Sequence, residues 1–511
     1  MRPLEIVETP TEGVNLVDPP WKLQPGKVRR SINIIMRNGK AEKTRGTTRL
    51  TPTAVFTDQP VPWVRRYYGR QADGTDIKKT HFFSNGRIYV VNDVNGATTQ
   101  VVSGLVSDAR PTSEVMQISG NSVEYVFSGN DRPYFYDGNA GDTWYRSAIT
   151  QEVVQGVAWL DRLWQFTDKS STLRYSVTLE PENLTGTDAG EITIGNEKDS
   201  YIVGLVVYRD TLFIFKTQSI WYIEGRVPAR FEVRRADSYV GCVSRNSIIT
   251  VEDLVFFVGS DGHMYFFNGI KPRLLDRELN FPKLINRVRQ KFISATYHDH
   301  LVRVSYAPSI AQDPSPGPAT TYESDEVVFP TTEFDPNELP KFSFTRGANI
   351  GSYAVLDQQG DDNILLVGRS EVGLVMFMGR GTEYDSSAME TDLWTRDIPF
   401  GTRNARIEDY IIEAAPKGSS TLDMETYLDG RLGTNSVDSF SQAGEQTGLG
   451  LILVNNQIRY HHRVVPFISF GRGQTTSCRF VNRRVGFDFS LEAVIVRYRQ
   501  KEKIAGQGVG T

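Results

Sequence analysis

The sequence predicts an all-β protein: a β-propeller of about seven irregular blades with an added C-terminal β-sandwich and an extended N-terminal arm. Three observations predict this fold class. Short apolar and aromatic runs alternate with turn residues along most of the chain, an acidic turn residue returns at a nearly constant interval, and long helical periodicity is scarce. With 511 residues, 39% of them hydrophobic, the chain is long enough for such an array and further domains.

The hairpin pattern is clearest in the stretch DLVFFVGSDGHMYFFNG, residues 253–269. Two apolar runs flank a turn that extends from Gly259 to Gly262, and this arrangement is typical of a β-hairpin. Comparable paired runs begin near residues 81, 123, 157, 205, 295 and 363. Their recurrence indicates a repeated structural unit rather than one hairpin beside a site.

The repeat interval indicates what kind of unit is repeated. An acidic residue occupies the corresponding turn at Asp161, Asp210, Asp253 and Asp299, and the intervals between these residues are 49, 43 and 46. A four-stranded propeller blade takes about 40 to 50 residues. Each blade exposes an apolar face that only a neighbour can bury, so we expect the array to close radially.

The limits of the periodic region set the expected domain boundaries. We assign residues 1–54 to the arm and entry strand, 55–390 to the propeller, and 391–511 to the β-sandwich with a flexible C-terminal tail. A stretch rich in Pro, Ser and acidic residues near 308–342 predicts an exposed insertion. The one helix that we expect lies at 281–292, where apolar residues recur at helical spacing.

Several residues are of the types that carry chemistry. A glycosidase needs two converging carboxylates, and Asp161, Asp253 and Asp261 are available. They occupy turn positions, however, where Asp bonds its own backbone, and we favour this structural interpretation. His298 and His300 would share one strand face, but their segment also matches the ordinary start of a blade.

Sequence motifs of enzymes and ion sites do not single out another site. The chain contains no HExxH, G-x-S-x-G or phosphate-loop motif, and DGNAGD at residue 137 departs from the calcium-loop pattern. We therefore predict that the chain is not an enzyme and that it has no catalytic, cofactor-binding or metal-binding residues. Cys242 and Cys478 are too few for a disulfide framework, and we expect both to be small buried residues.

Charge and hydropathy limit the remaining classes. The formal net charge of -4 is nearly balanced, which argues against a protein that coats nucleic acid. No run reaches 18 apolar residues and no signal peptide is visible, so we expect no membrane-spanning segment.

Basic residues are concentrated near both ends of the chain. They could bind nucleic acid, but few aromatic residues accompany those of the arm, and for both segments we favour contacts with acidic surfaces of neighbouring subunits. For the arm, the predicted inter-subunit residues are Arg29, Arg30, Arg37 and Arg45. The other basic residues of the two segments are Lys27, Lys40, Lys43, Arg49, Arg459, Arg463, Arg472, Arg479, Arg483 and Arg484.

Three segments carry a resemblance to a known family. The first is GVNLVDPPWKLQPGKVRRSINIIMRNGKAEKTRGTTRL at residues 13–50, the second is GCVSRNSIITVEDLVFFVGSDGHMYFFNGIKPRLLDRELN at 241–280, and the third is RVVPFISFGRGQTTSCRFVNRRVGFDFSLEAVIVRY at 463–498. Together they resemble the propeller tail proteins of short-tailed bacteriophages, which include tail nozzle, tail tubular and packaged-DNA stabilisation proteins. The matching positions are Gly13, Asn15, Asn33, Gly39, Lys43, Arg45, Gly46, Gly241, Ser244, Ser247, Gly259, Gly262, Tyr265 and Gly269.

The resemblance implies a structural role in a virion. It implies a ring of about six copies below the portal or adaptor protein, which retains the packaged genome and forms the channel for ejection of double-stranded DNA. It also implies contacts with other tail or fibre proteins, synthesis in the host cytoplasm, and no catalytic residues. The near-neutral charge agrees with passage of DNA, because a strongly basic bore would hold the phosphates. The alternative hypothesis is a carbohydrate-binding or glycan-hydrolysing propeller.

Overall fold

The computed structural model of the chain describes residues 4–138, 141–195, 200–309, 322–331, 339–355, 364–379, 383–385, 387, 389–401, 405–414, 421–441, 452–454, 457–464, 473–482 and 490–500. The chain divides into two compact units. The propeller unit contains residues 46–327 and 346–385, and the second unit contains residues 1–45, 328–345 and 386–511. The fold is a propeller-like all-β fold, as the sequence predicts.

The chain begins with five short strands, which are β1 (Leu4–Glu8), β2 (Val28–Ile32), β3 (Ile34–Arg37), β4 (Lys40–Lys43) and β5 (Thr47–Arg49). The first four belong to the second unit, so residues 4–43 are folded into sheets and do not form the separate extended arm that the sequence suggests. The segment is polar and its pairing partners lie far away in the sequence, so its strands are not recognisable from the sequence alone.

Five four-stranded antiparallel sheets then follow along residues 63–274, and each is a blade of consecutive strands. Blade 1 contains β6 (Trp63–Arg70), β7 (Asp76–Ser84), β8 (Arg87–Val91) and β9 (Thr98–Val102). Blade 2 contains β10 (Thr112–Ile118), β11 (Asn121–Phe127), β12 (Tyr134–Tyr136) and β13 (Trp144–Arg146). Blade 3 contains β14 (Val153–Trp159), β15 (Arg162–Thr167), β16 (Thr172–Tyr175) and β17 (Gly190–Thr193). Blade 4 contains β18 (Ile202–Tyr208), β19 (Thr211–Lys216), β20 (Ile220–Glu224) and β21 (Glu232–Arg235), and blade 5 contains β22 (Ile249–Val251), β23 (Leu254–Val258), β24 (Met264–Phe267) and β25 (Pro272–Leu274).

Two further sheets complete the propeller unit. Blade 6 contains β26 (Ser294–His298), β27 (Leu301–Tyr306) and the start of β28 (Asp325–Pro330), and the boundary between the two units falls within β28. The next strand, β29 (Ser343–Thr345), belongs to the second unit. Blade 7 contains β30 (Ile350–Val355), β31 (Leu365–Arg369) and β32 (Val375–Met378), and its fourth strand is β5. The count of seven agrees with the repeat seen in the sequence.

Pairing of β5 with β32 closes the ring. The two strands are antiparallel, with Thr47 opposite Met378 and Arg49 opposite Met376. First strands of neighbouring blades also contact one another at five junctions, those of blades 2 with 3, 3 with 4, 5 with 6, 6 with 7, and 7 with 1, where β30 contacts β6. Closure therefore leaves neither the first nor the last blade with an uncovered face.

Turn residues explain why the strands pair as hairpins. The turn between β7 and β8 has positive φ values at Asn85 (47°) and Gly86 (72°), which is the backbone that a two-residue hairpin requires. Asp161, Asp210 and Asp299 have φ values between 50° and 58° in the corresponding turns. Asp tolerates this left-handed conformation better than most residues, which explains why it recurs at these three turns.

The second unit contains three sheets, which are formed by the early strands and by ten late strands. The late strands are β33 (Thr391–Thr395), β34 (Ile398–Pro399), β35 (Ala405–Ala414), β36 (Thr421–Leu428), β37 (Arg431–Ser441), β38 (Ile452–Val454), β39 (Gln457–Val464), β40 (Thr475–Asn482), β41 (Ser490–Leu491) and β42 (Ala493–Gln500). Their order is β1-β42-β35-β39-β38 in one sheet and β3-β4-β41 in another. The third has the order β29-β2-β33-β40-β36-β37, with β34 beside β40. Tyr410 on β35 and Thr476 on β40 share a buried hydrogen bond of 2.8 Å, so two of these sheets pack against each other.

The expected helix at 281–292 is wrong. This segment forms two short 3-10 helices, Phe281–Lys283 and Arg287–Phe292, and the described residues contain two others, at Pro228–Arg230 and Arg245–Ser247. Asn286 interrupts the segment, because its extended backbone lets the side chain accept a hydrogen bond from the amide of Val288. Most of the predicted insertion (310–321 and 332–338) and the predicted tail (501–511) lie outside the described residues.

The hydrophobic core lies between adjacent blades. Blades 4 and 5 share a cluster in which the rings of Phe215 and Phe257 lie 5.1 Å apart, edge to face, and Phe267 is equally buried beside them. Comparable clusters join blades 1 with 2, 2 with 3, 3 with 4, and 7 with 1. Cys242 is buried in the cluster of blades 4 and 5, and Cys478 is buried in the second unit, as predicted for both.

We expect Phe257→Ala to lower the free energy of unfolding by roughly 3 to 5 kcal/mol, because the ring is fully buried between two blades and its loss leaves a cavity. Chemical denaturation monitored by tryptophan fluorescence measures the change. Tyr239→Ala is the matched control, because Tyr239 is an aromatic residue of the same unit that is 90% exposed. Equal stability of the two variants would contradict the inter-blade core.

Candidate functional site

The first strand of each blade surrounds a central channel in the propeller unit, and two cavities occupy it. The channel cavity, of about 640 Å³, is lined by the first strands of blades 1, 2, 6 and 7, by Gln155 of blade 3, and by Arg245, Asn246, Ile248 and Ile249. The arginine cavity, of about 610 Å³, is lined by the segments that lead into the first strands of blades 2, 4, 5 and 6. Arg245 and Asn246 line both cavities, so the channel is divided at these two residues.

Arg245 crosses the channel. It begins the 3-10 helix that leads into β22 of blade 5, and its Nη2 donates to the carbonyl oxygen of Arg110 at 2.5 Å. Arg110 leads into β10 of blade 2, and blades 3 and 4 separate blade 2 from blade 5 on the shorter path around the ring. A side chain that joins two non-adjacent blades must span the channel.

Arg110 extends to a third blade. Its Nη2 lies 3.3 Å from the carbonyl oxygen of Phe292 and 3.4 Å from Oγ of Ser294, at the start of blade 6. Its guanidinium carbon also lies 4.7 Å from the centre of the Phe292 ring, which is a cation–π contact. The two arginines together close the channel with side chains from blades 2 and 5.

Burial changes the protonation equilibrium of both guanidinium groups. Removal from water lowers the pKa of Arg110, and it lowers the pKa of Arg245 to about 10. For Arg245 the positive charge of Arg110 is the next cause, and Asp168 opposes the shift. With a pKa of about 10, Arg245 nevertheless carries its charge at neutral pH.

The three aspartates considered for glycan hydrolysis do not form a pair. Asp161 lies in a turn of blade 3, whereas Asp253 and Asp261 lie in two different turns of blade 5. The side chain of Asp253 is 93% exposed, and Asp261 accepts a hydrogen bond of 2.6 Å from the hydroxyl of Tyr265.

The backbone of two repeated turns has a separate role. The carbonyl of Asp210 accepts from the indole of Trp159 at 2.9 Å, and the carbonyl of Asp253 accepts from the hydroxyl of Tyr208. In both cases an aromatic residue at the end of one blade's first strand bonds the turn of the next blade. These turns therefore tie neighbouring blades together.

The two histidines near residue 299 do not share a strand face, because His298 ends β26 and His300 lies in the turn that follows. Asp299 and His300 have φ values of 50° and 55° and connect β26 to β27, and the ring of His300 is 64% exposed. Their arrangement is that of a hairpin turn. Within the described ranges, no group of three or more His, Cys, Asp or Glu side chains is arranged to hold a metal ion.

Two of the four predicted inter-subunit arginines pair with carboxylates of their own chain. Arg29 stacks on Trp394, with its guanidinium carbon 3.5 Å from the ring centre, and lies 3.6 Å from Asp397. Burial lowers the pKa of Arg29, and Asp397 opposes this. Arg30 lies 2.6 Å from Asp392, a carboxylate that Arg479 also contacts at 2.8 Å.

The other two predicted residues lie on the strand end and loop that follow. Arg37 is half-buried at the end of β3, and Arg45 is exposed. Lys40 and Arg49 are paired within their own units, with Glu492 at 3.1 Å and with Asp385 at 2.6 Å. Of the C-terminal basic residues, Arg472, Arg483 and Arg484 lie outside the described residues, as do the side chains of Arg459 and Arg463.

Sequence reasoning did not identify Arg110 and Arg245. A weak signal for them exists, because a basic residue stands a few positions ahead of the first strand in three blades, at Arg110, Arg245 and Lys291. Recognising it requires knowledge of which strand of each blade lies innermost.

Comparisons with known proteins add little to this site. No protein-family model and no curated protein matches the chain. Among solved structures, the extracellular domain of the one-component system BT4673 of B. thetaiotaomicron matches with a TM-score of 0.42 and 10% sequence identity. The match covers 91% of this chain and 62% of that one. In the part of the chain that is described, no helix is long and apolar enough to cross a membrane.

Glu114 on β10 is a titrating group in the wall between blades 2 and 3. Burial raises its pKa to about 7, and the charge of Arg65 and a hydrogen bond from the amide of Ala158 oppose this shift. The folded protein therefore holds a proton that the unfolded chain releases near its ordinary pKa of 4.5. This stabilising contribution is complete below about pH 4.5 and is lost as the pH rises through about 7.

We expect Glu114→Gln to be more stable than the natural protein at pH 8, by about 1 to 3 kcal/mol, and to show little difference at pH 5. The free energy of unfolding measured in urea at several pH values tests this. Glu191→Gln is the control, because that side chain is 63% exposed, and its effect should not depend on pH in this range. A pH-independent effect of Glu114→Gln would contradict the assigned titration.

Proposed function

We propose that the chain is a structural component of a short bacteriophage tail. In this proposal about six copies form a nozzle ring below the portal or adaptor protein, retain the packaged genome and enclose the channel through which DNA leaves. Other tail or fibre proteins dock on the ring. The protein is made in the host cytoplasm and resides in the virion.

The main support for the proposal is that residues at which the chain matches the resembling family have structural roles in the backbone. Gly13 has a φ of 87°, and a Cβ there would lie 2.8 Å from the backbone of Lys341 and Phe342. Asn33 has a φ of 57°, and its amide donates to the carbonyl of Glu390 at 2.7 Å. These positions serve the fold of the second unit, and this agrees with a family whose shared residues are structural.

The blade that carries the second resembling segment shows the same use of its residues. Oγ of Ser244 donates to the carbonyl of Ile293 at 2.6 Å and so ties blade 5 to the start of blade 6. Oγ of Ser247 donates to the carbonyl of Ser244 at 2.7 Å. A Cβ on Gly241 would lie 2.1 Å from the carbonyl oxygen of Lys216, so only glycine fits there.

The closed channel of the propeller unit also bears on the proposal. Arg245 and Arg110 block it, and the cavity on one side has a volume of only about 640 Å³. A DNA duplex cannot pass through one propeller of this kind. In the proposed nozzle, the path for DNA is therefore enclosed between several copies of the chain and does not run through a single propeller.

A count of copies in purified phage particles tests the proposal. We expect about six copies of the chain per particle and no cleavage of host polysaccharide by the isolated protein. Hydrolysis of host glycan that is abolished by substitution of one carboxylate would instead establish the carbohydrate-processing alternative. Absence of the chain from purified particles would exclude the nozzle.

We expect the double variant Arg37→Ala and Arg45→Ala to fold normally and to weaken ring assembly, because each lost charge-assisted bond across a subunit boundary costs roughly 1.5 to 3 kcal/mol. Particles that carry the variant are assayed for genome retention and for the nozzle band after gentle heating. Arg209→Ala is the control, since Arg209 is an exposed turn residue of the propeller unit and is 61% exposed. Normal retention and a normal band in the double variant would show that these arginines do not bridge subunits.

A further inference from the structure

The arginine cavity contains one buried and one half-buried guanidinium group, those of Arg110 and Arg245. Arg110 is only 8% exposed, and its Nε and Nη1 have no hydrogen-bond partner, nor does Nε of Arg245. The bonds that the two side chains make end on neutral oxygens, those of Phe292, Ser294 and the backbone of Arg110, and the neutral hydroxyl of Tyr322 also interacts with Arg110. Among the described residues, no carboxylate lies within ion-pair distance of either guanidinium.

Such an arrangement is unusual for a purely structural arginine. A buried charge normally has an opposite charge beside it, because removal from water is costly and the partner offsets that cost. The propeller unit follows this rule elsewhere: Arg303 pairs with Glu326 at 3.1 Å, and both are buried. In the arginine cavity the charges that act on Arg245 are the like charge of Arg110 and, with a smaller effect, the opposite charge of Asp168.

The surroundings of the cavity are also cationic. Arg287 and Lys291 line it as well, which gives four basic side chains against two acidic ones, Asp108 and Asp168. Arg287, Lys291 and both aspartates are exposed, so water screens them more than it screens the two arginines within. The cavity is open to solvent on this side and is large enough, at about 610 Å³, for a small ligand.

We propose that the arginine cavity is a binding site for a small phosphate-class oxyanion, which accepts hydrogen bonds from the guanidinium groups of Arg110 and Arg245. Arginine forks suit this ligand because two parallel N–H groups match two oxygens of a phosphate. Arg287 and Lys291 raise the local concentration of anions at the mouth. The site belongs to one chain and does not depend on whether the chain forms a tail ring.

Titration with inorganic phosphate tests the site directly. The full chain is titrated by calorimetry in chloride buffer at constant ionic strength, and the melting temperature is recorded in parallel. We expect saturable binding of one phosphate per chain and a rise in melting temperature with phosphate concentration. A nucleoside monophosphate and acetate, titrated in the same way, distinguish a phosphate ester from free phosphate and from a carboxylate as the preferred ligand.

Arg245→Gln is the decisive variant. We expect it to weaken phosphate binding at least about tenfold, since the loss of one charge-assisted bond corresponds to that factor or more. Arg209→Gln removes the same charge from an exposed turn of blade 4 and should leave the affinity unchanged. Without phosphate, Arg245→Gln should melt no lower than the natural protein, because it removes an unpaired buried charge.

Several outcomes would overturn the proposal. One is an absence of saturable phosphate binding, and another is full affinity in Arg245→Gln. A lower melting temperature of Arg245→Gln without phosphate, together with an unchanged response to phosphate, would show that Arg245 only supports the fold. If Arg245→Gln does not fold, the exposed pair Arg287→Gln and Lys291→Gln replaces it. That pair should reduce the affinity severalfold and flatten its dependence on salt, and an unchanged affinity would count equally against the site.

Discussion

Closure of the ring is the constraint on which the rest of the propeller unit depends. Blades bury aromatic residues against their neighbours, as Phe257 of blade 5 does against Phe215 of blade 4. An open array would leave two apolar sheet faces and two strand edges in water. The strand β5, at Thr47–Arg49, prevents this. It precedes blade 1 in the chain, and it pairs with β32 to complete blade 7, the last blade of the ring.

Closure also fixes the width of the channel, through polar ties between the first strands of successive blades. Ser294 of blade 6 donates to the carbonyl of Gly351 at 3.1 Å, and Ser352 of blade 7 donates to the carbonyl of Val61, ahead of blade 1, at 2.6 Å. The amide of Gln155 both donates to and accepts from the backbone of Leu205, which joins blades 3 and 4. These hydrogen bonds are short and are made by small or planar side chains. The channel is therefore narrow enough for one side chain, Arg245, to span it.

The parts of the fold that could be predicted from the sequence are those with local causes. A hairpin needs alternating strands and a turn residue that tolerates positive φ, and Asn85 and Asp210 supply this within a few residues of the strands they connect. The expected helix at 281–292 failed for a local reason as well, because apolar spacing alone does not show that Asn286 caps a short 3-10 turn. The place of β5 in blade 7 had no local cause, since its partner β32 lies more than 300 residues away in the chain.

The same distinction applies to charged residues. The density of arginines along residues 27–49 suggested available cations. Arg29 and Arg30 are nevertheless paired, with Asp397 and Asp392 respectively. Asp392 belongs to β33 and Asp397 follows it, and this strand lies far from both arginines in the sequence. Arg110 and Arg245 are isolated in the sequence, and only their position a few residues ahead of a first strand distinguishes them from surface arginines. Folding brings these two together in the channel without a carboxylate in ion-pair distance among the described residues. Whether a cation is available to a ligand therefore depends on the partner that it gains through long-range pairing. A count of charges along the chain does not show which partner that is.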